Sequence, residues 1–216
     1  MHFMSKKTFN QNAKYVQKFI DTFEPEFIFN DNPLNRFTII DKDNIEDASK
    51  AEKLLNLKES INSIENCNFK NNSKNLILGD GDINSSIMII GESPSEVEDN
   101  LGQSFQGEIG ALLNKMLLAI NIIRKNVYTT YSINFKTPED KKPLAQEIKR
   151  YSVFLKKHIS IINPKIIILM GSTAMESVTG INNKISNERG RWKEIILENK
   201  TYPIMITFSP SYLLRF

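Results

Sequence analysis

The chain is poor in the side chains most often used for acid–base and redox work, with two histidines and one cysteine in 216 residues. A lone Cys67 excludes an intramolecular disulfide and fits a reducing compartment. No apolar run approaches the ~18 residues of a membrane span, and the N-terminus lacks the long apolar stretch of a secretory signal. A cytoplasmic location is therefore the default expectation. Charge is nearly balanced: 28 Lys and Arg against 25 Asp and Glu leave +3. That permits contact with a polyanion through a local patch without indicating it. Also missing are the Gly-x-Gly-x-x-Gly and Gly-Lys-Ser/Thr loops, which weakens an α/β nucleotide-binding reading. There is no internal repeat and no low-complexity segment.

What is present is an alternation of helical and strand-like patterns. Residues 11–23 place Val16, Phe19, Ile20 and Phe23 at helical spacing, and 24–44 reads as a loop rich in Asn, Asp and Pro. A second helix is expected from Ile45 to about Ile64. Leu76–Leu78 and Ile87–Ile90 read as short strands around the turn Gly79–Asp82. A helix to about Ile123, a strand near Val127–Ile133, and a long helix over about Leu144–Ile161 follow. The strand Lys165–Met170 is apolar enough to be buried on both faces. A helix at Ala174–Val178 and strands at Ile195–Leu197 and Tyr202–Phe208 complete the pattern. This order predicts an α/β three-layer sandwich, with a mostly parallel sheet of four to five strands flanked by helices. Residues 1–60 are expected to be an N-terminal helical extension and 61–216 the principal domain. The densest basic stretch, Lys136 to Lys157, is interspersed with Glu139, Asp140 and Glu147 and reads as a solvated helix face.

The stretch that carries chemistry is Gly91-Glu-Ser-Pro-Ser-Glu-Val-Glu-Asp99, followed by Gly102-Gln-Ser-Phe-Gln-Gly-Glu-Ile-Gly110. It lies between a strand and a helix, where open α/β sheets place their sites. Its carboxylates suit water activation, and Phe105 offers a stacking surface; a core aromatic is the competing reading for Phe105, and a helix cap or Lys pair for Glu98. This stretch resembles the signature of family 4 uracil-DNA glycosylases. Val127-Tyr-Thr-Thr130, Asn163-Pro through Gly171, Arg189-Gly190 and Ser209-Pro-Ser-Tyr-Leu-Leu-Arg215 follow in the family's order. The resemblance spans roughly residues 60–216.

It implies a uracil-DNA glycosylase-like fold and excision of a base flipped out of DNA. Glu92, Glu98 and Ser209 take the catalytic positions, while Gly91, Ser93, Phe105 and Tyr131 line the base pocket. Ser93 stands where other branches carry an aspartate. Arg189, Ser211, Tyr212, Leu213 and Arg215 fall on DNA-facing segments, Leu213 with Leu214 as an apolar wedge or ordinary core closure. Three departures qualify the match. The motif histidine is Ser209, a shorter and less well-aimed donor. The base-reading asparagine is Tyr131, which cannot reproduce an amide's paired donor and acceptor. Of four cysteines that hold a [4Fe–4S] cluster in the family, only Cys67 remains; the others map to about Ile64, Phe135 and Tyr151 or Ser152. No metal or other cofactor is expected, with Phe135 and Tyr151 packing in its place. The expected protein is a monomeric DNA-repair glycosylase acting on uracil-containing DNA. A non-catalytic descendant that binds DNA or a protein through the same groove is the alternative.

Overall fold

The computed structural model describes residues 42–65, 67–138 and 141–215. The helix expected at 11–23 and nearly all of the loop at 24–44 lie outside the described residues. The elements run α1 (Lys42–Asn62), α2 (Asn68–Asn71), β1 (Asp80–Gly81), β2 (Ile87–Gly91), α3 (Glu96–Leu101), α4 (Gly107–Ala119) and β3 (Tyr128–Tyr131). They continue α5 (Ala145–Ile162), β4 (Ile166–Met170), α6 (Ser172–Thr179), α7 (Ile185–Glu188), β5 (Trp192–Leu197), β6 (Lys200–Thr207) and α8 (Pro210–Leu213).

Among the described residues the sheet has six strands in the order β1-β3-β2-β4-β6-β5, against the four to five expected. Its four central strands are parallel, with Ile89 opposite both Thr129 and Ile168, and Leu169 opposite Ile206. The two edge strands pair antiparallel. Strand alternation explains how a continuous apolar run serves two layers at once. Met88 and Ile90 join Ile167, Leu169, Ile204 and Ile206 under α5 and α6, which supply Leu155, Ile159, Ala174 and Met175. Ile89 points the other way, into a cluster with Leu113 and Leu117 of α4. Helices cover both faces, so the three-layer arrangement follows from the side-chain period.

Helix α1, drawn from the stretch read as an extension, places Leu54 in the first of these cores and Leu57 and Ile61 in a third. Helix α5 buries Ile148, Tyr151, Leu155, His158, Ile159 and Ile162 on one face and ends at Asn163 in the left-handed region, directly before Pro164. Strands β5 and β6 form a hairpin whose two loop residues, Glu198 and Asn199, both have positive φ, as tight hairpin turns require.

Two local expectations are corrected. Leu76–Leu78 is not a strand; Ile77 instead exchanges single hydrogen bonds with Asn134. Asp80–Gly81 is not a free turn but a short edge pairing with β3. A Cβ on Gly81 would lie 2.1 Å from the Val127 carbonyl oxygen, so glycine here permits close backbone approach.

Candidate active site

The crossovers from β2 and β4 leave the sheet in opposite directions along its order, opening a crevice at their C-terminal ends. A cavity of about 390 Å³ occupies it. Gly91 at the end of β2 with Glu92–Ser95 after it, Tyr131 at the end of β3, Met170 at the end of β4 and Ser209 after β6 form its wall. Glu98, Phe105, Ile109, Ser211 and Arg215 complete it. Gly91 is wedged against two rings: an added Cβ would stand 2.8 Å from Tyr131 and 2.9 Å from Phe105.

Glu92 is half-buried and anchored from across the sheet. Its Oε1 accepts the Thr173 N–H at 3.0 Å and the Ser172 hydroxyl at 3.2 Å, both from the first turn of α6. A helix N-terminus favours a carboxylate through its exposed N–H groups and dipole. The carboxylate lies on Gly171, whose φ is 105°, and a Cβ there would sit 2.2 Å from the Glu92 carboxyl carbon. From sequence Gly171 marked only the end of a matched segment, and Ser172 and Thr173 were not singled out. Their signal was available, since a Gly-Ser-Thr turn directly follows a fully apolar strand.

Glu98 is differently engaged. It is 1% exposed, and its Oε2 accepts the Ser95 N–H at 2.6 Å, completing a capping box on α3. Its Oε1 accepts the Tyr131 hydroxyl at 2.5 Å and the Gln106 N–H at 3.3 Å. Both oxygens thus face fixed donors of the scaffold. Burial, and next the adjoining Glu98 charge, push the Tyr131 phenol far above its ordinary range, so its proton stays on oxygen. The same hydroxyl accepts the Phe105 N–H at 2.8 Å. The two rings stack with centroids 5.0 Å apart and planes 20° from parallel.

Ser209 caps α8, its Oγ accepting the Tyr212 N–H at 3.3 Å. That bond uses a lone pair and leaves the hydroxyl hydrogen to donate, with Ser211 Oγ 3.0 Å away. Ser93 lines the cavity with its Oγ 3.5 Å from Thr137 Oγ1, long for a hydrogen bond. Tyr212, Leu213 and Leu214 are exposed beside the mouth, and Arg215 Nε donates to the Ser211 carbonyl. Arg189 does not reach the cavity wall. Its guanidinium lies 4.6 Å over the Phe208 ring, which stacks in turn on Tyr212 at 4.7 Å. Within the basic stretch, Lys142 pairs with Glu176 at 2.9 Å and Lys136 stands 3.7 Å from Glu96.

The positions that the resemblance sets against cluster cysteines come together in space. Cys67, Phe135 and Tyr151 share one buried core with Ile64 packed against it. The Cys67 sulfur is 2.9 Å from the Tyr151 hydroxyl, and Tyr151 meets Phe135 edge-on at 6.4 Å. One thiol among hydrocarbon and phenol does not fit a [4Fe–4S] cluster, which needs four ligands. Among the described residues, no three His, Cys, Asp or Glu side chains converge as a metal site. No helix among them is long and apolar enough to cross a membrane.

The family model of the uracil DNA glycosylase superfamily matches residues 78–216. The chain is 33% identical to the type-4 uracil-DNA glycosylase of Thermotoga maritima over 168 residues, covering 77% of this chain and 86% of that protein. It is 27% identical to the type-4 uracil-DNA glycosylase of Pyrobaculum aerophilum over 166 residues, covering 75% and 85% respectively. For the type-4 uracil-DNA glycosylase of Archaeoglobus fulgidus the identity is 26% over 167 residues, covering 76% and 84%. A family model spanning well over half the chain, and relatives matched along most of their length, place this chain in the uracil-DNA glycosylase superfamily.

Proposed function

We propose that the chain is a DNA glycosylase that removes uracil, or a related deaminated base, by hydrolysing the N-glycosidic bond. The observation that carries this reading is the convergence of Glu92, Phe105 and Ser209 on one cavity of about 390 Å³. That volume suits a single extruded base, and the relatives named as type-4 uracil-DNA glycosylases support the choice of uracil.

In this reading Phe105 grips the flipped base, an interaction worth about 1–3 kcal/mol. As the C1′–N1 bond breaks, the bonding pair leaves with the uracil, whose O2 accepts a hydrogen bond from Ser209 Oγ. The Glu92 carboxylate stabilises the positive charge developing at C1′ and orients the water whose oxygen bonds to C1′. The water's proton passes to that carboxylate. Ser209 is a shorter donor than an imidazole, and complete loss of such a donor costs on the order of 10²–10³ in rate. The enzyme is therefore a weakened one. Glu98, with both oxygens committed to the scaffold, is assigned to architecture rather than to water activation. Tyr212, Leu213 and Leu214 form the wedge that fills the vacated stack, and Arg215 meets a phosphate. Arg189 braces this loop through Phe208.

A second reading, a non-catalytic DNA binder, is favoured by the contact of Ser209 with Ser211 and by Tyr131 covering one face of Phe105. The two readings separate on excision from a uracil-containing single strand with enzyme in excess, alkali revealing abasic sites. Cleavage by the native chain that disappears in Glu92→Ala and Phe105→Ala supports the glycosylase. Retained DNA binding with no cleavage supports the binder.

A further inference from the structure

Phe105 is a bulky, 5% exposed aromatic with φ at 51°, a left-handed conformation that side chains of its kind rarely adopt. Its carbonyl packs on Gly110, where a Cβ would lie 1.9 Å away, and a second device holds its N–H and ring. The Phe105 N–H donates to the Tyr131 hydroxyl, the hydroxyl donates to Glu98 Oε1, and the Tyr131 ring covers one face of Phe105. Gly91 closes the arrangement from below, with no room for a Cβ beside either ring. The Tyr131 hydrogen is spent on Glu98 and one lone pair on Phe105, so this side chain has no proton left to read a base edge.

We propose that Tyr131 is a positioning residue: held by Glu98, it locks Phe105 in the conformation that presents its ring to an incoming base. This rests on the assignment of Phe105 as the gripping side chain. The buried Glu98 then has a task in the site without touching substrate. The lock also limits the pocket, because a base can use only the part of Phe105 that Tyr131 leaves uncovered.

The test combines amide exchange with single-turnover kinetics on wild type, Tyr131→Phe, Phe105→Ala and the double variant, each first shown to melt cooperatively. Tyr131→Phe keeps the ring and removes the hydroxyl. Exchange protection of the Phe105 amide should fall about tenfold or more, while the amides of β2 and β4 are unchanged. The half-saturating enzyme concentration on a uracil-containing strand should rise about fivefold, with the maximal rate lowered less than about twofold. In the Phe105→Ala background the same substitution should add less than about twofold, because two residues acting through one contact are not additive. Unchanged amide protection, or fully additive penalties, would overturn the lock. If the native chain excises nothing, the glycosylase reading fails by itself and the exchange measurement alone decides the lock.

Discussion

Acidification should remove a large, separable share of this fold's stability through His158. The residue is 2% exposed in the core of α5, where its Nε2 lies 3.0 Å from the Tyr128 hydroxyl and its ring meets Tyr128 edge-on. Burial lowers its pKa from 6.5 to about 3, so the folded protein keeps it neutral. In the unfolded chain the imidazole takes up a proton below about pH 6.5. Between these values the unfolded state binds more protons, so the contribution is complete above 6.5 and is lost as pH falls towards 3. At about pH 4.5 the loss is two pH units at ~1.4 kcal/mol each, or roughly 3 kcal/mol. That is a substantial part of the ~5–15 kcal/mol typical of a domain. Urea unfolding at about pH 7.5 and about pH 4.5 measures the change, with His158→Phe as the control for every other titrating group. The variant leaves the Tyr128 hydroxyl without this partner, at a cost of about 1–3 kcal/mol at both pH values. Its stability should nonetheless fall less on acidification than that of the wild type, by roughly 3 kcal/mol. Equal losses in the two proteins would refute a buried neutral imidazole.

Four further outcomes follow from the site and the core. Gly171→Ala combines a positive φ with a Cβ 2.2 Å from the Glu92 carboxyl carbon, so it should cost about 1–3 kcal/mol in thermal unfolding and slow excision about tenfold or more. Ser209→His should raise the single-turnover rate by on the order of 10²–10³, because it supplies the longer donor while the Pro210 helix start is kept. Iron analysis of the chain grown in iron-replete medium should find none, and a chelator should leave its melting temperature unchanged. Tyr151→Phe, which removes the hydroxyl from Cys67, should cost about 0.5–1.5 kcal/mol.

The fold was legible where one residue type decides a local outcome. Ile87–Ile90 and Ile166–Met170 are short, isoleucine-rich and apolar on consecutive positions, the pattern of a strand buried on both faces. Asn163 before Pro164 stops a helix for reasons confined to those two residues. The edge pairing of Asp80–Gly81 was not legible, because a glycine that turns and a glycine that lets two backbones touch look alike in sequence. Within the site, the loop holding Glu92 and Phe105 was plain, but their supports were not. Glu92 is held by Ser172 and Thr173, about 80 residues further on, and Arg189 meets Phe208 across the β5–β6 hairpin. Such partners depend on strand order, which no local pattern carries. The cap role of Glu98 was different: Ser95-x-x-Glu98 is itself a helix-start signature, present in the sequence beside the chemical reading it competes with.

The most direct test of the central claim is release of free uracil from a uracil-containing single strand by the native chain, enzyme in excess, followed by chromatography of the base. The account predicts slow release of one free base per abasic site formed, abolished by Glu92→Ala. Bound DNA with no free base from the native chain, and none restored by Ser209→His, would contradict it.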